Sequence, residues 1–417
     1  MRSPRARELR GGVLFGSLLV LRLLYPFLDS PLAHLNSDPL RHWTDGRDFL
    51  HPTVMGSGDP YLYQLWLFVL QHIPGVGNGA ILAGCGLLCA AMPYGWYRAL
   101  RELASRQHSL WGAALLGVWP PFLAIYGFFM TETLLLALTG VAFALTLRAA
   151  RKRTGAAFAA ACLLWLAVCF TRMALLPLAL LCLGWLWTLQ PRRLRALLLA
   201  LCMTAAIAIP AGLHGRAALG YFAPLGNLYL NEIYLASERK NIQIDFGAQG
   251  RYQFGSPSYY NPTFYPFSSW TTGRQGTYAI SIDTRRGRAD WLRELKRARS
   301  LPPGWRWRDF VENLCYLFFG QAWPANRDGP LGTLSVWARW LWLPAVIWTL
   351  LASARGCYRA RAWLIPLGAL WSLMFLMLQR EAIMEGRYRN PIEPIFMAAI
   401  VLSLSVRPGL RAAHPHS

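Results

Sequence analysis

The strongest constraint on the fold of this chain is a series of long apolar runs that carry almost no charge. A helix needs about 20 apolar residues to cross the hydrocarbon core of a bilayer, and it pairs its backbone polar groups within the segment. We therefore predict an all-α polytopic membrane protein with about ten transmembrane helices. The runs lie near residues 11–28, 79–97, 109–127, 132–148, 155–171, 173–189, 196–213, 336–353, 362–378 and 390–406.

The charge balance distinguishes this chain from other basic proteins. Its 42 Lys and Arg residues exceed its 20 Asp and Glu residues, which gives a formal net charge of +22. In a soluble protein that excess would suggest a nucleic-acid partner. Only 15% of the residues are charged, however, and 55% are hydrophobic, whereas a soluble domain carries roughly 25% charged residues. We exclude a nucleic-acid partner and expect membrane lipids to surround the chain.

Basic residues in the short connections predict the orientation of the helices. The positive-inside rule places Lys and Arg on the cytoplasmic side, and an even number of spans returns the chain to that side, so both termini are predicted to be cytoplasmic. No Asn-x-Ser/Thr glycosylation sequence is present, which favours a bacterial inner membrane. The basic segments are the N-terminus, 98–106, 148–153, 192–195, 355–361 and 407–411.

Two long connections, 29–78 and 214–335, fall on the opposite, periplasmic side. Loops of that length are uncommon unless they are functional, and we expect both to be structured. The chain accordingly divides into three parts. These are an N-terminal transmembrane core (1–213) that contains the first periplasmic loop, the periplasmic region 214–335, and the C-terminal transmembrane helices (336–417).

Local sequence patterns predict elements within both long connections. Apolar residues at helical spacing predict amphipathic helices, and those of the first loop resemble helices that lie in the membrane interface. Residues 251–280 are rich in Tyr, Ser, Pro and Gly, and we predict a loop there. The predicted helices cover 39–50, 61–73, 287–300 and 305–320.

Charged residues at the periplasmic membrane edge are the candidate functional residues, because charge there is costly and usually functional. Helix capping or snorkelling explains any one of them, and we assign that simpler role to Asp29, Asp45 and Asp48. As a set, acids from one loop and arginines from two helix ends can bind an anionic headgroup and take a proton beside it. The set is Asp29, Asp38, Arg41, Asp45, Arg47, Asp48, Asp59, Glu132, Arg172, Glu385, Arg387, Tyr388 and Arg389.

Three motifs in this set resemble those of one family. Asp38-Pro39-Leu40-Arg41, followed by Asp59-Pro60-Tyr61-Leu62-Tyr63-Gln64-Leu65-Trp66, resembles the first periplasmic loop of the GT-C glycosyltransferases, which include aminoarabinose transferases and protein O-mannosyltransferases. Where members of that family have glutamates, this chain has Pro39 and Asp59. Cys169-Phe170-Thr171-Arg172-Met173 and the stretch from Glu385 to Pro394 are similar to two later motifs of the family. Region 214–335 matches nothing in it.

The resemblance implies an integral-membrane inverting glycosyltransferase with a GT-C-like fold. Such enzymes move a sugar from a polyprenyl-phosphate donor to a hydroxyl of a glycolipid, polysaccharide or protein acceptor. Arginines hold the departing phosphate by charge-assisted bonds, and a carboxylate takes the acceptor proton. We expect Asp38 to be that base and Asp59 to position the acceptor or a cation. The residues expected to hold the donor phosphate are Arg41, Arg172, Arg387 and Tyr388.

A divalent metal ion is a candidate cofactor, with Asp59 as its candidate ligand. His34, His42 and His51 are expected to be surface histidines rather than ligands. Two other functions are alternatives. A transporter or flippase for lipid-linked sugars should show internal repeats and broken pairs of spans, and we find neither in the sequence. An O-antigen or capsule polymerase would share the large periplasmic region and is less favoured by the loop acids and arginines.

Overall fold

The computed structural model describes residues 4–54, 56–73, 77–236, 241–247, 250–254, 277–300, 314, 317–319, 329–358, 360–378 and 386–405. This part of the chain is largely helical, as predicted, with one small sheet. Short 3-10 turns join several of the helices. The helices before the sheet are α1 (Pro4–Leu28), α2 (Ser37–Arg47), α3 (Tyr61–Gln71), α4 (Asn78–Arg101), α5 (Arg106–Val118), α6 (Pro120–Ala124), α7 (Thr131–Lys152), α8 (Gly155–Thr171), α9 (Leu176–Thr188), α10 (Arg193–Leu219) and α11 (Leu228–Ala236).

The sheet and the remaining helices follow α11. Strands β1 (Asn241–Asp245), β2 (Arg251–Phe254) and β3 (Thr277–Ser281) form a sheet in the order β2-β1-β3. Strand β1 pairs antiparallel with β2 and parallel with β3. The later helices are α12 (Arg288–Arg299), α13 (Pro330–Ala338), α14 (Trp342–Ala354), α15 (Leu364–Met377) and α16 (Glu393–Ser405).

The ten predicted spans correspond to helices of three kinds. Six helical segments in the described residues are long and apolar enough to cross a membrane. They are Leu9–Leu28, Asn78–Arg101, Thr131–Lys152, Arg193–Leu219, Pro330–Ala354 and Ala360–Met377. A seventh would consist of α5 and the helical turns that follow it, bent by 65°. The other three predicted spans form apolar helices of 10–17 residues: Gly155–Thr171, Met173–Thr188 and Glu393–Ser405.

The bend after α5 follows from two consecutive prolines. A residue before proline avoids the α-helical region, and Trp119, which precedes Pro120, is extended at φ −63° and ψ 121°. A helix carbonyl normally accepts from the N–H four residues later, and proline has none. Pro121 therefore leaves the carbonyl of Gly117 without its helical partner.

Arg22 of α1 binds the carbonyls that prolines leave unpaired. Its Nη1 donates to the carbonyl of Gly117 at 2.6 Å, and its Nε donates at 2.6 Å to the carbonyl of Cys89, whose helical partner would be Pro93. Nη2 donates to the carbonyl of Phe122 at 3.0 Å. Arg22 is only 1% exposed, so these bonds compensate both the buried charge and the broken helices. No sequence motif pointed to Arg22.

Helices α4 and α7 cross at two glycines that let their backbones touch. A Cβ at Gly95 would lie 2.9 Å from the backbone nitrogen of Val141, and one at Gly140 would lie 2.7 Å from that of Trp96. Because real Cβ atoms do not approach so closely, any larger residue would separate the helices. This contact fixes α7, and with it Glu132 in its first turn.

Both long connections are structured in the described residues. They lie at the same end of the helical bundle, which we call the loop end. Helices α2 and α3 fall on the predicted ranges 39–50 and 61–73, and α12 falls on 287–300. Most of 305–320 lies outside the described residues. The loop prediction for 251–280 was wrong at both ends, where β2 and β3 form. Its Tyr, Ser, Pro and Gly content concealed strands that are stabilised by pairing with β1.

One hydrophobic core joins the sheet to the rest of the loop end. It contains residues of the sheet and α12 together with Val54 of the first connection and Leu219 at the end of α10. The two connections also meet at a backbone bond, in which Asn227 N–H donates to the carbonyl of Ser57 at 3.2 Å. The sheet, α11 and α12 therefore form a subdomain that is anchored on α10.

The role of Arg22 predicts that Arg22→Leu lowers the thermal unfolding midpoint of the detergent-solubilised protein by several degrees. The reason is that an unpaired buried carbonyl costs about 1–3 kcal/mol. Tryptophan fluorescence measures the midpoint, and Arg10→Leu at an exposed position of the same helix is the matched control. Pro93→Ala restores an N–H that can donate to the carbonyl of Cys89, so Arg22→Leu/Pro93→Ala should recover part of the loss. An Arg22→Leu midpoint equal to that of the control would contradict this role.

Candidate active site

Helix α2 presents four polar side chains toward the turn at residues 53–59. Asp38, Arg41, His42 and Asp45 occupy positions i, i+3, i+4 and i+7, which places them on one helical face. Asp38 lies in the first turn of the helix, where the helix dipole stabilises a negative charge. The face is directed at Asp59, which ends the turn.

Arg41 bridges the two acids that the sequence analysis selected. Its Nη1 donates to Asp38 Oδ1 at 2.8 Å. Its Nε and Nη2 donate to the two carboxylate oxygens of Asp59, each at 3.0 Å, which is the bidentate geometry that guanidinium groups favour. Arg41 therefore serves first to hold Asp59. It remains accessible, because its side chain is 42% exposed.

His42 is the second hydrogen-bond partner of Asp59. Its Nδ1 lies 2.9 Å from Asp59 Oδ2. The prediction of a surface histidine at this position was wrong, because His42 is 3% exposed. Burial of Asp59 favours its neutral form, but the charges and hydrogen bonds of His42 and Arg41 outweigh that effect and hold the pKa of Asp59 well below its ordinary value. Asp59 is therefore a carboxylate, and a weak base.

Asp45 is also buried in this cluster, so its assignment as a solvated loop acid was wrong. Burial, together with the charge of Asp59 and a hydrogen bond to it, raises the pKa of Asp45 to about 8. At neutral pH one proton is therefore shared by this pair of acids. Gly56 makes room for the arrangement, because a Cβ there would lie 2.6 Å from Asp45 Oδ1. Asp48, by contrast, pairs with Arg47 at the surface, which agrees with its prediction as a solvated acid.

Arg172 is held by residues from α7 and from the turn that precedes α16. It follows α8 in an extended conformation, and its Nη1 forms a close ion pair with Glu132. Glu132 is fully buried, and its Oε2 accepts from the hydroxyl of Thr131 at 3.0 Å. The Arg172 guanidinium also lies over the ring of Tyr388, 4.8 Å from its centroid, a cation–π contact. The structure thus brings together two of the predicted phosphate-binding residues, Arg172 and Tyr388.

Arg387 and Arg389 lie in the same 3-10 turn as Tyr388, Gly386–Arg389. The side chain of Arg387 is outside the described residues. Arg389 is 1% exposed; its Nε lies 2.5 Å from Glu393 Oε1, and its Nη1 donates to the carbonyl of Leu317 at 3.2 Å. Arg389 therefore ties the start of α16 to the second long connection. Its i,i+4 acid could have been read from the sequence as a helical ion pair.

A cavity of about 180 Å³ at the loop end has Asp59 and Arg172 in its wall. It lies between the turn that follows α2, the end of α8, the end of α10 and the linker before α11. Asp38 is not part of the wall and reaches it through Arg41 and Asp59. The other lining residues are mostly apolar or aromatic: Ser57, Pro60, Tyr61, Cys169, Phe170, Met173, Ala211, His214, Gly215, Ala223, Pro224, Leu225, Gly226 and Leu228.

The residues around Asp59 do not fit a bound divalent metal. Both of its oxygens already accept bonds from Arg41, and one also faces His42. A cation at that carboxylate would have to displace a guanidinium. Across the described ranges, no group of three His, Cys, Asp or Glu side chains is arranged to hold a metal ion. The contacts of Asp59 therefore argue against it as a metal ligand.

The shared proton predicts a pH dependence that Asp45→Asn removes. Because the pKa of Asp45 is about 8 in the folded state against an ordinary 3.8, its contribution to stability is complete below about pH 4 and is lost as the pH rises through about 8. The thermal unfolding midpoint of the wild type should therefore decrease as the pH is raised from about 6 to 8.5. Asp45→Asn should flatten this fall, whereas Asp48→Asn at the surface should retain it. Equal slopes in all three proteins would show that the pair does not share a proton.

The cavity has an anionic group and a cationic group in its wall, each held by its own partners. A carboxylate held by Arg41 and His42 can accept a hydrogen bond from a hydroxyl and so position it. A guanidinium held by Glu132 and Tyr388 can bind oxygens of an anion with its remaining N–H groups. No model of a known protein family matches the chain, and no curated protein matches it.

Proposed function

We propose that the protein is an integral-membrane inverting glycosyltransferase that takes a sugar from a polyprenyl-phosphate donor. In this proposal the chain has ten spans in a GT-C-like arrangement, with both termini in the cytoplasm and the loop end in the periplasm of a bacterial inner membrane. The acceptor is a hydroxyl of a glycolipid, polysaccharide or protein. The observation that carries the proposal is the cavity in which Asp59 and Arg172 share one wall.

Binding of the donor phosphate falls to Arg172. A polyprenyl-phosphate sugar leaves a phosphate monoester whose charge grows as the glycosidic bond breaks, and a fixed guanidinium stabilises that charge most when it needs no reorganisation. Glu132 and Tyr388 hold Arg172 on two sides. Glu132 also balances the charge of Arg172 in the absence of donor, which reduces the cost of keeping an arginine in an apolar wall.

Proton transfer falls to Asp38 in this proposal. As the acceptor oxygen bonds to the anomeric carbon, its proton passes to a carboxylate, and the bond from that carbon to the phosphate oxygen breaks with its electron pair on phosphate. Asp59 is a weak base because Arg41 and His42 stabilise its charged form. Asp38 accepts a hydrogen bond from the same Arg41, and its side chain is 25% exposed against 8% for Asp59. Asp38 is therefore the acid that an incoming hydroxyl can reach.

Asp59 and Arg41 act as positioning residues in this scheme. Arg41 links Asp38 to Asp59 because different N–H groups of its guanidinium donate to each acid. Asp38, the proposed base, is therefore held at a fixed place relative to the cavity. The aromatic and apolar side chains of the wall, including Tyr61 and His214, suit the mixed polar and apolar surface of a sugar ring. Such walls with few polar groups are typical of small-molecule sites.

Release of free polyprenyl phosphate tests this function. Purified protein in nanodiscs is incubated with a short-chain polyprenyl-phosphate sugar and an extract of envelope acceptors, and the lipid products are separated by mass spectrometry. Transfer gives free polyprenyl phosphate and a glycosylated acceptor. Movement of intact donor across a vesicle membrane without release would identify a flippase. Turnover of only diphosphate-linked oligosaccharides would identify a polymerase.

The bidentate role of Arg172 predicts that Arg172→Lys lowers donor turnover by about tenfold or more, a loss of about 1.4 kcal/mol of transition-state stabilisation. A lysine keeps the ion pair with Glu132 but loses the planar fork that matches phosphate oxygens. Arg195→Lys, at an exposed position of α10, is the matched control and should turn over normally. Wild-type turnover in Arg172→Lys at normal expression would refute the phosphate role.

The assignment of the base predicts that Asp38→Asn abolishes detectable transfer while donor binding persists. General base catalysis contributes roughly 10²–10⁴-fold, whereas loss of a helix cap lowers stability by about 0.5–2 kcal/mol and leaves turnover intact. Asp59→Asn should be severely impaired through positioning, and Asp48→Asn should be active. Transfer and donor binding are measured separately for each variant. A fully active Asp38→Asn would place the base elsewhere.

A further inference from the structure

Helix α10 extends beyond the length that a bilayer requires. Its 27 residues correspond to about 40 Å at 1.5 Å per residue, whereas the hydrocarbon core is about 30 Å thick. Its last turns carry Arg216, which is exposed. The end of α10 at Leu219 therefore lies at or beyond the level of the lipid headgroups.

The chain turns back along α10 directly after this end. Gly220 ends the helix with φ +76°, the left-handed region that glycine favours. The N–H of Ala223 lies 3.4 Å from the carbonyl of Gly212, and the ring of Phe222 rests on Gly212, where any side chain would overlap it. Gly212 is eight residues before Gly220, which is about 12 Å along the helix. Phe222 thus points back toward the apolar part of α10.

This returning segment exposes large apolar side chains. Phe222 is 51% exposed, and Leu213 on the adjacent turn of α10 is 54% exposed. These two side chains, at one level of a helix that can span a membrane, form an apolar tier. More than half of each is exposed in the part of the chain that the structure describes, and the acyl region of a bilayer matches them.

A basic tier lies on the other side of the helix end. The turn Thr284–Gly287 packs directly on Gly220, so a side chain at Gly220 would overlap the carbonyl of Thr284. The side chains of Arg285 and Arg286 are 90% and 68% exposed, and Arg288 at the start of α12 is exposed as well. Among the described residues, Asp283 is the acid that pairs with Arg285 and Arg286. With Arg216, the tier holds four arginines.

We propose that these two tiers form a binding surface for anionic phospholipid headgroups of the surrounding bilayer, and that this surface holds the subdomain of the sheet, α11 and α12 against the membrane. Apolar side chains beside the helix and arginines at its end are the arrangement of interfacial membrane contacts. Each basic residue near an anionic surface contributes about 1 kcal/mol. The surface depends on α10 being embedded and is independent of the proposed transfer reaction.

A purely structural role for these arginines gives a different expectation. Cations near the C-terminus of a helix, here α10, interact favourably with its dipole. Asp283 also partly balances Arg285 and Arg286. Those effects lie within the protein and do not depend on lipid composition. Phosphate binding requires an anionic headgroup and weakens with salt. Lipid composition therefore separates the two roles.

Hydrogen exchange of the full-length protein in nanodiscs tests the proposal. Exchange of the amides of residues 280–288 is compared between phosphatidylcholine alone and phosphatidylcholine with phosphatidylglycerol. We expect exchange to be about fivefold slower with phosphatidylglycerol, the change that corresponds to about one arginine–headgroup contact. High salt should remove most of this difference in the wild type, so this comparison needs no variant.

A charge-matched pair of variants locates the surface. Arg285→Gln/Arg286→Gln/Arg288→Gln should abolish the phosphatidylglycerol effect. The control Arg251→Gln/Lys296→Gln/Arg299→Gln removes the same charge from exposed positions of the subdomain, and Arg299 lies about 16 Å from Arg288 along α12. The control should keep the effect. Equal exchange of the wild type in both lipids, or an equal loss in both variants, would overturn the proposal.

Discussion

The structure depends on pairing every charge that is buried in an apolar bundle. An isolated ion in a low-dielectric interior costs far more than one ion pair or hydrogen bond returns, so each buried charge requires several partners. Arg22 has three carbonyls, Glu132 has Arg172 and Thr131, and Arg389 has Glu393 and a carbonyl of the second long connection. Each set joins elements that are distant in the sequence. The same contacts that compensate the charges therefore fix how the helices and connections meet.

Prolines create part of this requirement. Pro93 and Pro121 each remove the N–H that would have paired a carbonyl within the helix, and Arg22 from α1 binds both of those carbonyls. Backbone carbonyls that the bend would otherwise leave unpaired are therefore bound by Arg22, and α1, α4 and α5 meet at this point. The bent segment leads into Glu132 at the start of α7, so the junction also supports the wall of the candidate site.

Two neighbouring acids of the first connection differ in charge state because their surroundings differ. Asp59 is held ionised by Arg41 and His42, whereas Asp45 is buried against it and keeps a proton. Asp38 meets the same arginine at the edge of the cluster. This division of roles resembles that of enzymes in which one acid holds charge and another moves a proton. In the proposed transfer it leaves Asp38 for proton transfer and Arg172, in the cavity wall, for the donor phosphate.

The sequence by itself determined the helical class, the positions of the apolar segments and the identity of most candidate residues. Apolar runs and helical spacing act locally, and Asp38 and Arg41 share a helical face for that reason alone. Only the tertiary structure decided that Asp45 and His42 are buried, that Arg172 pairs with Glu132 forty residues earlier, and that β2 and β3 pair with β1. These features depend on burial and on partners from distant segments. A local pattern cannot specify them, because the same residue is a surface acid or a proton-sharing partner according to what packs against it.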